Sequence, residues 1–257
     1  MRRELKYLVR EADRERLLSR IGPFVTPDPY ARPRADGRTG YTVRSIYFDT
    51  PGLRDWAEKE SGDQVRRKLR VRGYDAPGSS PLVLEIKRKE EQAVWKDRAT
   101  VTARQAVALL SRGPLPCLPE PARTAAKRFV YRLRAERRQP TLLVTYWREP
   151  LVGRFDPSLR VTLDQRLRVA SFPRLGPDAD GLYRETLRPV LRGRFILEVK
   201  FDRVYPSWLR ETISRLGLSR QALSKYAIGM EAEARAAPWR FGRPAITALA
   251  DRPALVV

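Results

Sequence analysis

Charged residues share one strand face, two or four positions apart, in six stretches of this chain: Glu4 and Lys6; Lys68, Arg70 and Arg72; Glu85, Lys87 and Lys89; Lys96 and Arg98; Arg160 and Asp164; Glu198 and Lys200. Residues two apart on a strand share a face, so each stretch carries a charged face, mostly cationic, with a carboxylate in four of the six. Arg binds phosphate oxygens as a planar fork and Lys as a point charge, whereas a carboxylate among such cations suits a divalent ion. The chain has no histidine and one cysteine, Cys117, which lies beside Pro114 and Pro116 and reads as structural or incidental. Ser-His-Asp and Cys-His catalysis and an internal disulfide are therefore excluded. Any metal must sit on carboxylate and phosphate oxygens, which points to Mn2+ or Mg2+ rather than Zn2+.

The elements that must position these residues are legible from periodicity. Eight segments alternate as strands: 4–10, 40–49, 65–74, 81–89, 92–101, 141–152, 158–168 and 194–204. Helical patterns cover 11–21, 103–111, 120–138, 206–216 and 219–234, and Thr102-Ala103-Arg104-Gln105 has the form of a capping box. Ala76 to Ser80 reads as a turn, Lys89 to Gln92 as a tight reversal, and 27–40 as a long loop. Between the charges stand Leu5, Leu69, Val71, Leu84, Ile86, Val161, Leu163, Leu197 and Val199, which need a core. A sheet with its charged face in water satisfies this pattern. So does a barrel with charges inward around a wet tunnel and apolar residues outward under helices. Two signs of charge on single strands and five helical segments favour the barrel. The expected fold is α+β: a closed antiparallel eight-stranded β-tunnel with a cationic interior, jacketed by helices. Residues 1–236 are expected to form that domain and 237–257 a partly ordered tail.

Lys plus Arg number 52 against 30 Asp plus Glu, a formal charge of +22. Self-repulsion of this size calls for counterions or a polyanionic partner. Nucleic acid is one such partner, but it would call for exposed aromatics interleaved with surface cations; Tyr74, Trp95 and Trp147 fit a core or tunnel rim at least as well. No apolar run approaches the roughly 20 residues of a membrane span, so no membrane insertion and a cytoplasmic location are expected.

Several short motifs carry a resemblance over residues 4 to about 231. They are Glu4-Leu5-Lys6-Tyr7, Ser45-Ile46-Tyr47-Phe48-Asp49-Thr50, Lys68-Leu69-Arg70-Val71-Arg72-Gly73-Tyr74, Leu84-Glu85-Ile86-Lys87, Trp95-Lys96-Asp97-Arg98, Tyr146-Trp147-Arg148, Arg160-Val161-Thr162-Leu163-Asp164, Leu197-Glu198-Val199-Lys200 and Ser224-Lys225-Tyr226. In order and spacing the sequence resembles the polyphosphate polymerase (VTC) domain of the triphosphate tunnel metalloenzymes, a superfamily that includes CYTH-type triphosphatases and adenylate cyclases. The resemblance implies a catalytic, phosphate-binding set of Lys6, Arg70, Arg72, Lys87, Lys96, Arg148 and Arg160. It further implies Arg98, Lys200, Ser224 and Lys225 as substrate contacts, Glu198 as the carboxylate for Mn2+ or Mg2+, and ATP and inorganic polyphosphate as partners. Two positions depart from the pattern: Ala222 stands where a basic residue is often found, and the N-terminal motif has one Glu before its Lys where the triphosphatases carry two. The second favours polymerase over triphosphatase. No phosphate-sensing helical domain precedes Glu4, so regulation by one is not expected.

Overall fold

The computed structural model describes residues 2–78, 80–90, 93–111, 116–176, 178–184 and 186–241. Eleven strands form one antiparallel sheet: β1 (Arg3–Arg10), β2 (Val25–Pro27), β3 (Arg32–Pro33), β4 (Thr39–Asp49), β5 (Val65–Tyr74), β6 (Leu82–Glu90), β7 (Ala93–Val101), β8 (Gln139–Gly153), β9 (Arg160–Ser171), β10 (Arg188–Pro189) and β11 (Arg194–Phe201). The main path runs β1-β11-β9-β8-β4-β5-β6-β7, with β10 on β9, β2 on β8 and β3 on β4. The eight main strands are those the alternation predicts, within a few residues. The three short ones lie in segments too brief to show a period.

The sheet is not closed. Among the described residues β1 and β7, the ends of the path, share no backbone bridge, so the expected closed eight-stranded tunnel is corrected to an open, curled sheet. The outer edge of β1 is covered by a connecting segment instead, through a Tyr7–Arg220 bridge and a hydrogen bond from the Gln221 amide to the Lys6 carbonyl at 2.9 Å. The edge strand β7 carries Lys96, Asp97 and Arg98 and is backed by a helix, two devices that protect an unpaired edge.

Helices α1 (Arg14–Ile21), α2 (Arg54–Glu60), α3 (Ala103–Leu110), α4 (Ala122–Ala135), α5 (Ser207–Arg215) and α6 (Lys225–Ala236) complete the chain. On α4, Ala126, Phe129, Val130 and Leu133 are buried at the i, i+3, i+4, i+7 spacing of one helix face. With α3 they cover Leu69, Val71, Leu84 and Ile86, the outward residues of β5 and β6. Leu17, Ile21, Leu209 and Ile213 of α1 and α5 cover Val161, Leu163, Leu197 and Val199 in the same way. Burying each such Leu, Ile, Val or Phe contributes roughly 1.5–3 kcal/mol.

The fifth predicted helix does not join that outer jacket. Buried along most of its length, α6 packs with Val43, Tyr47, Leu142, Val144 and Ile196, which share the inward face of their strands with the charges. It fills part of the concave side. Gly229 permits this contact: a Cβ there would stand 2.7 Å from Leu142 and 2.8 Å from Val169.

The unpredicted α2 explains the Ser45-to-Thr50 motif. Asp49 accepts hydrogen bonds from the amides of Thr50, Asp55 and Trp56 and from the Tyr226 hydroxyl at 2.5 Å, tying the start of α2 to α6. Arg138 clasps Asp55 with two bonds of 2.7 and 2.8 Å nearby. The predicted capping box forms: the Thr102 hydroxyl accepts from the Gln105 amide at 3.2 Å while the Gln105 side chain accepts from the Thr102 amide at 2.9 Å. The loop expected at 27–40 holds β3, and β4 begins at Thr39. At the chain's end, 238–240 form a short 3-10 turn and Phe241 packs on Trp56 and Phe172; the rest of the expected tail, 242–257, lies outside the described residues, as do Ser79, Glu91 and Gln92 of the expected turns.

Candidate functional site

The concave face that α6 leaves open encloses a cavity of about 1210 Å3. Of the twelve residues singled out from sequence, eleven line it: Lys6, Arg70, Arg72, Lys87, Lys96, Arg98, Arg148, Glu198, Lys200, Ser224 and Lys225. Arg160 does not. It faces the same side of the sheet, opposite Lys200, but lies near the start of β9, where its guanidinium is drawn to Asp28 at 2.6 Å.

Pairing of β5, β6 and β7 sets two rows of charge side by side. Arg70, Glu85 and Arg98 stand directly opposite one another, and Glu85 accepts from Arg70 at 2.5 Å and from Arg98 at 2.9 Å. Burial pushes the Glu85 carboxyl up, but Arg70, Arg72 and Arg98 hold it down at about 2. The neighbouring row is Lys68, Lys87 and Lys96, with no carboxylate between its members. Like charges directly opposite repel. Burial, reinforced by Lys87, Lys6 and Arg66, lowers Lys68 to about 7; burial, Lys200 and Lys87 lower Lys96 to about 8. Lys87 is pulled down too, by burial and then Lys6 and Arg70.

The opposing wall is mixed. Register places Lys6 opposite Glu198 and Glu4 opposite Lys200. Lys6 lies 3.0 Å from Glu4 and 3.7 Å from Glu198, and Lys200 pairs with Glu198 and stands 3.9 Å from Glu4. Burial works against ionisation of Glu198, yet Lys6, Lys200, Lys225 and Arg148 hold it well below the usual carboxylate range. Glu4 is likewise pushed up by burial but held at about 2, by Lys6 first. Both carboxylates are charged at neutral pH. Among the described residues no group of three or more Asp, Glu, His or Cys side chains could hold a metal alone. The pair Glu4 and Glu198, oxygen donors only, fits a hard divalent ion that takes its remaining ligands from phosphate and water.

The N-terminus of α6 closes a third side. Ser224 caps the helix by accepting from the Ala227 amide at 3.4 Å, and its hydroxyl also accepts from Lys68 at 2.8 Å. A helix N-terminus carries partial positive charge and favours anions. Arg148 and Lys225 share the buried Asp164, at 2.7 and 2.8 Å from Arg148 and 2.5 Å from Lys225. A bulge makes this trio: one extra residue on β9, with Arg166 at φ 52°, shifts the register so that Asp164 rather than Gln165 stands opposite Arg148. Tyrosine rings support the cations from behind, Tyr47 under Arg70, Tyr146 under Arg148 and Lys225, and Tyr226 under Lys68. Each stands inside a quoted motif, which was the available signal for it. Lys68, Glu4 and Asp164 carry the period-two signal without having been given a site role, whereas Glu85 is among the further members that the resemblance implies. Arg70 Nε is buried without a partner among the described residues.

An anion laid against the lysine row restores its protonation. Because Lys68 and Lys96 sit below the ordinary lysine value of 10.5 in the free protein, binding takes up protons from about pH 7 upward and weakens as pH rises toward that value. The same sign makes the free protein gain stability over that window, as repulsion is relieved. Calorimetry of tripolyphosphate binding at pH 8.5, in buffers of different ionisation enthalpy, is expected to show uptake of about one to two protons. Affinity and heat that ignore both buffer and pH would contradict the lysine row as the anion contact.

A family model described as the VTC domain matches residues 1–233. No curated protein sequence matches the chain. Among solved structures, a Bacillus halodurans protein described as a candidate adenylate cyclase is similar at 14% identity, over 87% of this chain and 95% of that one, with a TM-score of 0.48. The family match takes in every strand of the cavity and the capped start of α6, and on that ground the chain belongs to the VTC-domain family.

Proposed function

We propose that this protein is a polyphosphate polymerase, a metal-dependent phosphotransferase that passes the γ-phosphate of ATP to a growing inorganic polyphosphate chain within the cavity. The observation that carries the reading is the asymmetry of the walls: Lys68, Lys87 and Lys96 form a carboxylate-free row, while Glu4 and Glu198 are confined to the side facing it. A linear phosphate chain needs the first, and a divalent ion needs the second.

An ionised terminal phosphate oxygen attacks the γ-phosphorus. The bond from γ-phosphorus to the β–γ bridging oxygen breaks, and its electrons leave with ADP. The nucleophile is already ionised, so the step needs positioning and charge neutralisation more than a base, and the lack of histidine is no obstacle. Arg70, braced by Glu85, and Arg148, braced by Asp164, are held by their carboxylates and backed by tyrosines, so they meet developing charge without rearranging. Lys6, Arg72, Lys87, Lys96, Arg98, Lys200, Ser224 and Lys225 complete the phosphate contacts; Arg160 takes part only if it leaves Asp28. Mn2+ or Mg2+ held by Glu198 with Glu4 would supply Lewis-acid polarisation of phosphoryl oxygens.

Nucleic acid fits less well. Trp147 is only 8% exposed, and Trp95, at 52%, lies against Arg88 on the side away from the inward row. No helix among the described residues is long and apolar enough to cross a membrane. Incubating the protein with ATP and Mn2+ or Mg2+ and separating the products tests the reading: ADP and long polyphosphate are expected. Inorganic phosphate without polymer would make it a triphosphatase, cyclic AMP with pyrophosphate a cyclase, and unchanged ATP with bound polyphosphate a binding module.

A further inference from the structure

Beyond the lysine row, the cavity ends in four cations to which neither the motifs nor the mechanism gives a role. Arg66 and Lys89 stand directly opposite each other near the ends of β5 and β6. Lys59 of α2 and Arg220, from the segment that covers β1, join them along the same cavity. The four are close enough that, after burial, Arg66, Lys59 and Arg220 all act to lower Lys89. Among the described residues none of the four side chains makes a hydrogen bond or has a carboxylate within 4.0 Å. Six of the interior cations, Arg70, Arg98, Arg148, Lys6, Lys200 and Lys225, have a carboxylate partner, so these four extend the carboxylate-free character of the lysine row to the end of the cavity.

Unneutralised like charges converging from four separate elements destabilise the free fold. An occupant that is itself anionic would offset the cost. A triphosphate held at Lys68, Lys87 and Lys96 is used up by the inner rows, whereas a longer phosphate chain continues past them with about one charge per phosphate. We propose that Lys59, Arg66, Lys89 and Arg220 form a second anion subsite, which grips the stretch of a linear polyphosphate lying beyond the phosphates in the inner rows and makes binding depend on chain length. The subsite rests on the proposed function, because it is built for the same polymer.

The test compares the wild-type protein with the variant Lys59→Gln, Arg66→Gln, Lys89→Gln and Arg220→Gln, measuring binding of inorganic tripolyphosphate and of long-chain polyphosphate. Physiological salt keeps the screening length near 8 Å, so that contact rather than distant charge is read. Long-chain affinity is expected to fall about tenfold or more with a shallower salt dependence, while tripolyphosphate affinity changes less than about twofold. Removing like charges leaves the melting temperature unchanged or raised, and the two double variants, Arg66→Gln with Lys89→Gln and Lys59→Gln with Arg220→Gln, should each give part of the effect. Equal losses for both anions, or no loss for the long chain, would overturn the subsite while leaving the inner site standing. A wild-type protein that binds the two anions alike would also overturn it. A wild-type protein that binds neither would overturn the proposed function as well.

Discussion

Glu198→Gln is expected to lower turnover about 100-fold or more while leaving metal-free tripolyphosphate binding the same or tighter. A carboxylate among phosphate-binding cations repels substrate unless a divalent ion lies between them. In the free protein Glu198 is paired with Lys200 and stands 3.7 Å from Lys6, so it occupies two cations that phosphate would otherwise use. Removing its charge while keeping its volume leaves Lys6 and Lys200 with Glu4 as their one carboxylate neighbour among the described residues, which makes them more available to the anion, and takes away half of the Glu4–Glu198 donor pair. Losing the charge stabilisation of one divalent ion is worth several kcal/mol, and each 1.36 kcal/mol is tenfold in rate. Turnover and metal-free affinity of the variant therefore move in opposite directions. If Glu198→Gln keeps full activity with unchanged metal dependence, Glu198 is a structural partner of Lys200 and the metal assignment is wrong.

Arg70→Ala moves both quantities the same way. It deletes a guanidinium whose buried Nε has no partner among the described residues, and it leaves Arg98 as the one hydrogen-bond donor to Glu85 among the described residues, adding less compensated negative charge beside the lysine row. Charge-assisted hydrogen bonds contribute about 1.5–3 kcal/mol, so triphosphate affinity is expected to fall about 10- to 100-fold. Part of that loss belongs to Glu85. Adding Glu85→Gln to Arg70→Ala should recover some affinity, which separates a lost contact from a gained repulsion. An Arg70→Ala variant that binds tripolyphosphate like the wild type would remove Arg70 from the site.

The site was legible in the sequence because its information is local. Alternation at period two puts Lys68, Arg70 and Arg72 on one face whatever that face meets, and the same holds for Lys87, Lys96, Glu198 and Lys200. What alternation cannot give is the partner across the cavity, or which end of a strand reaches a loop. Arg160 carries the right spacing but is held by Asp28, 132 positions away in sequence. The pairing of Arg148 with Asp164 depends on a bulge at Arg166, a one-residue shift with no signature in an otherwise regular run. The helix α2 was missed because Arg54–Glu60 is short and mostly polar, and its start is fixed by Asp49 from the preceding strand rather than by its own first turn. Closure failed as an expectation for a related reason. The covering of β1 by Arg220 and Gln221 is a long-range contact made by residues without strand character. The near-continuous burial of α6 is the one sign that it sits inside the curl, and in sequence that sign is diluted by Lys225, Glu231, Glu233 and Arg235.

Thermal unfolding of the protein with and without tripolyphosphate, set against duplex DNA at equal phosphate concentration, tests most directly whether the cations serve one enclosed site. A ligand at about 100 times its dissociation constant that binds only the folded state adds about 2.7 kcal/mol. For a chain of this size each kcal/mol is worth about 2–4 °C, so tripolyphosphate is expected to raise the melting temperature by about 5–10 °C. Duplex DNA is too broad to enter a cavity of about 1210 Å3 and should give a smaller shift that fades with salt. Equal stabilisation by tripolyphosphate and DNA would show that the cations act as an open surface and would contradict the enclosed phosphate site.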